Sequence, residues 1–285
     1  MLAASLLFTF ACATTTTTTP APAPVAESTP AQAPPQCNPG HSLVNAVLWV
    51  DHAAEYRAAA LSTYSAARRS LDAALADPTW IGAQEENAND PAQPPAIILD
   101  LDETSIDNTE YEAKAIAAGT TYDAALWKQY VTQGSAKAVP GAAEFLAYAK
   151  SRGVTPFYVT NRDIPEEREG TRANLERLGF PLDPNVETLL MRGGEFKGSD
   201  KGPRRAFVAK SYRVLLLLGD DLNDFANARD KNEAERNAIV DTMQDWWGTR
   251  WFMLPNPMYG SWEGAAIGSG GTPCEKLQRK IDALK

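Results

Sequence analysis

Ile97-Ile98-Leu99-Asp100-Leu101-Asp102-Glu103-Thr104 is the stretch whose reading decides the fold. An apolar run closed by acids, over 96–101, reads as a buried strand that ends in carboxylates. Working outward, Gly153 precedes a second run, Val154 to Thr160, and further strands are expected at 187–191, at Val214 to Leu218 and at Trp251 to Leu254. Between them the spacing predicts helices over 110–131, from Pro140 to Lys150, over 165–178 with Gly179 as its stop signal, and around 202–210. Continuous apolar strands alternating with helices imply an α/β fold, a doubly wound parallel sheet covered on both faces. Pro156 sits awkwardly, because proline cannot donate to a ladder.

Upstream, Ser42 to Leu75 is Ala-rich with apolar residues at helical spacing, giving one long helix or two shorter ones. Pro78 and the polar run Gln84 to Gln93 form a loop ended by Pro94-Pro95. Residues 13–36, with Thr14 to Thr19 followed by a Pro/Ala stretch, cannot bury a core and read as an extended tether. Met1 to Ala11 is apolar or small, runs into Cys12, and reads as a signal segment too short to span a membrane. That pattern resembles a bacterial lipoprotein cleavage site. It makes the chain an exported protein of the periplasm or outer membrane, anchored by lipid on Cys12, although no Lys or Arg precedes Arg57 and bulky Phe10 departs from the pattern. Cys37 and Cys274 can pair in an oxidising compartment, and the sequence leaves that pairing open. A net charge of −9 disfavours nucleic-acid polymer as a partner. His41 and His52 stand far from any ligand-type cluster and read as structural or surface residues.

Ligands of parallel sheets bind at the carboxyl ends of strands. Two such ends carry acids here: Asp100 and Asp102 after the first strand, and Asp220, Asp221 and Asp224 after the Val214 to Leu218 strand. Either cluster alone reads more simply as turn or helix capping. Together they form an oxygen-donor site suited to Mg²⁺.

Asp100-Leu101-Asp102-Glu103-Thr104 resembles the first motif of the haloacid dehalogenase superfamily. Val159-Thr160-Asn161-Arg162 resembles its second motif, Lys201 its third, and Gly219-Asp220-Asp221-Leu222-Asn223-Asp224 its fourth. The extended run Asp100 to Asn108, the Val139-Pro140-Gly141-Ala142 and Phe157-to-Arg162 stretches, and Leu254 to Glu263 are similar to class C acid phosphatases, the bacterial lipoprotein 5′-nucleotidase family. Asp221 departs from that family, which more often has Asn, and adds charge beside the metal.

The resemblance implies hydrolysis of small phosphomonoesters, including nucleoside monophosphates, through an aspartyl-phosphate on Asp100. Asp102 would protonate the leaving group and then deprotonate water. Mg²⁺ would be held by Asp100, the Asp102 carbonyl and Asp220, with Asp224 behind them. Thr160, Asn161 and Lys201 would bind the phosphoryl oxygens. Strand alternation would send the Asp100 and Asp102 side chains to the same face. A helical cap at about 105–138, joined by the N-terminal helix, would select substrate, with Tyr259 and Tyr122 holding a base. Trp246, Trp247, Trp251 and Trp262 read as core or surface packing. The rival reading is a non-catalytic binding, storage or surface-interaction protein on the same fold. Related non-enzymatic proteins lack the nucleophilic Asp that is present here.

Overall fold

Strand pairing follows the apolar runs. In the computed structural model, which describes residues 37–85 and 90–285, five of the strands form one parallel sheet. In chain order the elements are α1 (Val44–His52), α2 (Ala54–Ala76), β1 (Pro95–Leu99), β2 (Ile106–Asp107), α3 (Thr109–Ala117), α4 (Ala124–Gln133), β3 (Lys137–Ala138), α5 (Ala142–Ser151) and β4 (Thr155–Asp163). They continue with α6 (Arg168–Arg177), β5 (Leu189–Arg192), α7 (Gly202–Ala209), β6 (Arg213–Gly219), α8 (Glu233–Thr242), β7 (Trp251–Met253), α9 (Ser261–Ile267) and α10 (Pro273–Ala283).

Sheet order is β5-β4-β1-β6-β7 with every pairing parallel. The chain winds outward from β1 to β5, then returns to lay β6 and β7 on the other side of β1. The order therefore reverses beside β1, and a crevice opens there at the strand ends. Successive β1 residues are buried on opposite faces. Ile97 and Leu99 pack with Leu71, Phe145 and Leu146 from α2 and α5, while Ile98 packs with Phe157, Val208 and Trp251. This two-sided cover explains a run with no polar alternation. Trp246 and Trp247 pack edge-on against Trp251, Trp247 also edge-on against Phe225, whereas Trp262 is exposed.

Pro156 costs the sheet nothing. The Tyr158 amide donates to Thr188 O at 2.8 Å, so even-numbered amides of β4 face β5, and Pro156 falls before β5 begins. The helix expected over 110–131 is two helices, because Gly119 turns left-handed at φ 74° and the Asp123 carboxylate caps α4 by accepting from Ala125 N and Leu126 N. The helix expected from 165 begins at Arg168, after Glu167 has accepted a bond from Asp163 N. The strand expected over 96–101 stops at Leu99.

α3, α4 and the antiparallel β2–β3 pair stand over the strand ends, glued by Tyr111 against Trp127 at 4.9 Å and against Tyr130 at 5.9 Å. The Asn174 amide of α6 fastens this cap, donating to and accepting from the Ala136 backbone at 3.0 Å each. Leu43, Val47, Val50, Tyr56 and Met258 form a small satellite core beside it. Cys37 and Cys274 are joined as a disulfide with Cα atoms 6.1 Å apart. Among the described residues no helix is long and apolar enough to cross a membrane. The leader, Cys12 and the tether expected over 1–36 lie outside the described residues.

Candidate active site

β1 delivers Asp100 on a fixed backbone, since Asp100 N donates to Leu218 O of β6 at 3.0 Å. Regular pairing then ends and a tight turn begins. Leu101 O accepts from the amides of Thr104, Ser105 and Ile106, and Ser105 Oγ donates to Asp100 O at 2.7 Å. Glu103 adopts φ 57°, a left-handed conformation that costs a residue with a Cβ about 1–2 kcal/mol. The buried Tyr64 hydroxyl of α2 holds the turn by donating to Thr104 O at 2.6 Å. Asp100 and Asp102 consequently line the same cleft. Simple strand alternation was expected to achieve this, but the turn does so after the strand has stopped.

The β6 end faces it. A Cβ on Gly219 would meet the Asp224 carboxylate at 2.4 Å, so glycine is what lets that carboxylate fold back. Asp224 Oδ2 accepts from Asp220 N at 3.1 Å and Asp221 N at 2.9 Å. Asp220 accepts from Thr104 Oγ1 at 2.9 Å and from Asn256 Nδ2 at 2.8 Å. Carboxylate oxygens of Asp100, Asp220 and Asp224 lie within 4.8 Å of one another. Lys201 Nζ sits between two of them, 2.5 Å from Asp100 Oδ1 and 2.5 Å from Asp224 Oδ1.

So many buried acids distort their own titration. Burial lifts the Asp100 carboxyl, Lys201 pulls it down, Asp224 and Asp102 push it up, and the net value is about 7. Burial, then Asp224 and Asp100, hold Asp220 well above the carboxylate range. Burial works against the Lys201 ammonium, yet Asp100 and Asp224 together raise it above its usual range. Three acids against one lysine leave negative charge that a hard cation would offset, and every donor is oxygen, which suits Mg²⁺ or a similar divalent ion.

Asp102 points to a different partner. Arg162 contacts its carboxylate from Nη2 at 2.7 Å and Nε at 3.1 Å, and Asn108 Nδ2 donates to it at 2.9 Å. Arg162 is itself fixed by Thr171 Oγ1 at 3.1 Å and lies 5.1 Å from the Trp127 ring centre. Thr160 is fully buried beneath the cleft, its Oγ1 accepting from Arg162 N at 3.1 Å. Asn161 lines the cleft and is held by Arg204 Nη2 at 2.6 Å and by Ser199 O at 3.1 Å. Burial lowers the Arg204 guanidinium to about 10.

The cleft measures about 640 Å³. Its floor holds Asp100, Asp102, Asn161, Lys201 and Asp220, and its walls include Tyr122, 60% exposed, and Tyr259. Asp221, read as added charge beside the metal, lines the cleft, where Ser261 N and Ser261 Oγ donate to its two oxygens at 2.5 Å each and Asn223 N adds a third bond at 2.9 Å. Arg162, Asn108, Asn256, Arg204 and Glu112 were not singled out for roles in the sequence. The usable signal was that Arg162, Asn108 and Asn256 lie inside the family-like stretches.

Acid-loaded ends of the neighbouring strands β1 and β6, a lysine between their carboxylates and a helical cap above define a haloacid dehalogenase-type hydrolase. Residues 32–262 match the profile of the HAD superfamily, subfamily IIIB (Acid phosphatase). The chain belongs to this family, and its class is that of the phosphomonoester hydrolases. The class C acid phosphatase from Bacillus anthracis superposes with a TM-score of 0.76 at 31% identity, covering 87% of this chain and 98% of that one. The same enzyme with tungstate bound gives 0.75 at 32% identity, covering 86% and 98%. The stem 28 kDa glycoprotein of Glycine max is 21% identical over 172 residues, which span 57% of this chain and 58% of that protein.

Proposed function

We propose that the protein is a Mg²⁺-dependent acid phosphatase that transfers the phosphoryl group of a small phosphomonoester to Asp100. One observation carries this reading: Lys201 bridges Asp100 and Asp224, while Arg162 holds Asp102 separately across the same cleft. The two carboxyls thus have different partners and can take different tasks. An Asp100 oxygen attacks phosphorus as the ester P–O bond breaks, and Asp102 gives its proton to the departing oxygen. Asp102 then takes a proton from water attacking the aspartyl-phosphate, releasing inorganic phosphate and restoring both acids. Arg162 keeps the Asp102 carboxyl turned toward the leaving oxygen. Lys201 and Asn161 bind phosphoryl oxygens from the cleft, and the Thr160 hydroxyl does so from beneath. Tungstate, a tetrahedral oxyanion like phosphate, is bound in the Bacillus anthracis relative, which supports an oxyanion site here.

Asp100, Asp220 and the Asp102 carbonyl would hold Mg²⁺, with Asp224 fixing Lys201 and the β6 turn behind them. When bound, the ion would neutralise phosphoryl oxygens in the transition state. Tyr259 and Tyr122 line the cleft and support stacking of a nucleoside base, so nucleoside 5′-monophosphates are the favoured substrates. Export, with lipid on Cys12, is supported by the apolar leader and by the Cys37–Cys274 disulfide.

Purified protein is expected to release phosphate from phenyl phosphate between pH 4 and 8 with Mg²⁺ and not after chelation. Turnover that survives chelation would remove the metal, and no turnover at all would remove the reading. Nucleoside monophosphates should exceed sugar phosphates in kcat/KM; equality would leave a broad-specificity phosphatase. Fatty-acid labelling that persists in Cys12→Ser would dispose of the anchor.

A further inference from the structure

Glu112 lies in the first turn of α3, on the cap. Its residue is 4% exposed, yet it lines the cleft together with Asp102, Tyr111 and Trp127. Glu112 Oε2 is buried without a hydrogen-bond partner, and no ion pair reaches the side chain among the described residues. Burying a polar group in this way costs more than it returns. An acid near a helix N-terminus gains less from the dipole than that burial costs. Exposed Glu110 in the same turn already supplies that, and is paired with Lys114 at 2.8 Å. The fold by itself therefore gives no reason for a carboxyl at 112. Burial also raises its titration to about 8, so the group is largely an uncharged acid at neutral pH, offering one O–H donor and a free acceptor oxygen. Glu103 has an orphan Oε2 as well, but it does not line the cleft, and its other oxygen accepts from Asn108 N at 3.0 Å.

We infer that Glu112 is a specificity-determining residue that hydrogen-bonds the sugar hydroxyls of the leaving group, in a sugar phosphate or a nucleoside monophosphate. A hydroxyl both donates and accepts, which matches a neutral carboxyl facing a water-poor wall. The leaving group extends from Asp102 toward the cap, where Glu112, Tyr111 and Trp127 form the wall it meets. This inference rests on the phosphatase reading but on neither the metal nor the covalent intermediate.

The test compares ribose 5-phosphate with phenyl phosphate, whose leaving group has no hydroxyl beyond the ester oxygen. Glu112→Leu is expected to lower the kcat/KM ratio of ribose 5-phosphate to phenyl phosphate about 10- to 100-fold, the worth of one or two buried hydrogen bonds. Glu112→Gln, which still donates and accepts, should retain most of the ratio. Glu112→Ala replaces the Leu variant if that one does not fold. An unchanged ratio, or equal loss on both substrates, would overturn the inference, the latter indicating action through Glu103. Adenosine 5′-monophosphate should show the same sensitivity and its 2′,3′-dideoxy analogue little. If the dideoxy compound were equally sensitive while ribose 5-phosphate was not, the base rather than the sugar would be read. Phenyl phosphate turnover by the unaltered protein reports the phosphatase reading separately.

Discussion

The floor of the cleft and its cap-side wall are built on opposite principles. On the floor, Lys201 bridges Asp100 and Asp224, Asp220 accepts from Thr104 and Asn256, and Asp102 is gripped by Arg162 and Asn108. On the wall, Tyr122 is mostly exposed and Glu112 is buried with an orphan oxygen. A floor whose polar groups hold one another is pre-organised, as chemistry that stabilises developing charge requires. A wall with an unmet hydrogen-bonding demand is suited to selection, because a ligand lacking the complementary group leaves that demand unmet.

The sharpest way to break this contrast is Asp100→Asn. It is expected to cut phosphatase turnover a thousandfold or more while circular dichroism stays native; retained activity would move the nucleophile off the floor. Asp102→Asn should cost about 10²-fold on an alkyl phosphate and clearly less on 4-nitrophenyl phosphate, whose leaving group needs little protonation. Equal losses on the two esters would take the proton-transfer role away from Asp102.

Glu112→Gln probes the wall through pH. A folded-state value of about 8 against an ordinary 4.5 means the folded protein binds this proton more tightly than the unfolded chain. Its stability contribution is therefore complete below the unfolded value and is lost as pH rises toward 8, by at most about 1.4 kcal/mol per pH unit. The Gln variant should show a flatter decline in melting temperature between pH 5 and 8. Parallel curves would mean that Glu112 titrates normally. The smallest effect is expected from Ser261→Ala, which removes one bond to Asp221. About 1 kcal/mol of stability should go, with KM rising a few-fold and kcat nearly constant as the Tyr259 loop loosens. A fall confined to kcat would instead tie this contact to the floor.

Legibility in the sequence followed the same division. The β1 and β6 ends could be read because each places its acids directly after a contiguous apolar run, so their place at the sheet edge is a local property. What holds those acids was not local. Arg162 reaches Asp102 across 60 residues, Asn256 reaches Asp220 across 36, and Tyr64 reaches Thr104 across 40. The stretch 225–250 gave no reading beyond its tryptophans because the one buried residue of α8 is Arg236, which leaves no apolar stripe. The break between α3 and α4 was missed because the apolar spacing runs on across Gly119, while Gly119 and Asp123 end one helix and start the next. Ser261 reaches Asp221 across 40 residues, in the same way as Arg162 reaches Asp102.

That partner gives Asp221 a meaning that neither residue has alone. Ser261 offers a backbone and a hydroxyl donor, and the Asp221 carboxylate presents an oxygen to each. An amide at 221 could accept only from the backbone donor and would have to donate to the hydroxyl oxygen, turning the Ser261 proton elsewhere. The pair thus ties the turn after β6 to the loop over 255–262 that carries Tyr259. Grafting the 255–262 loop from a relative onto this scaffold should succeed when residue 221 travels with it and misfit when it does not.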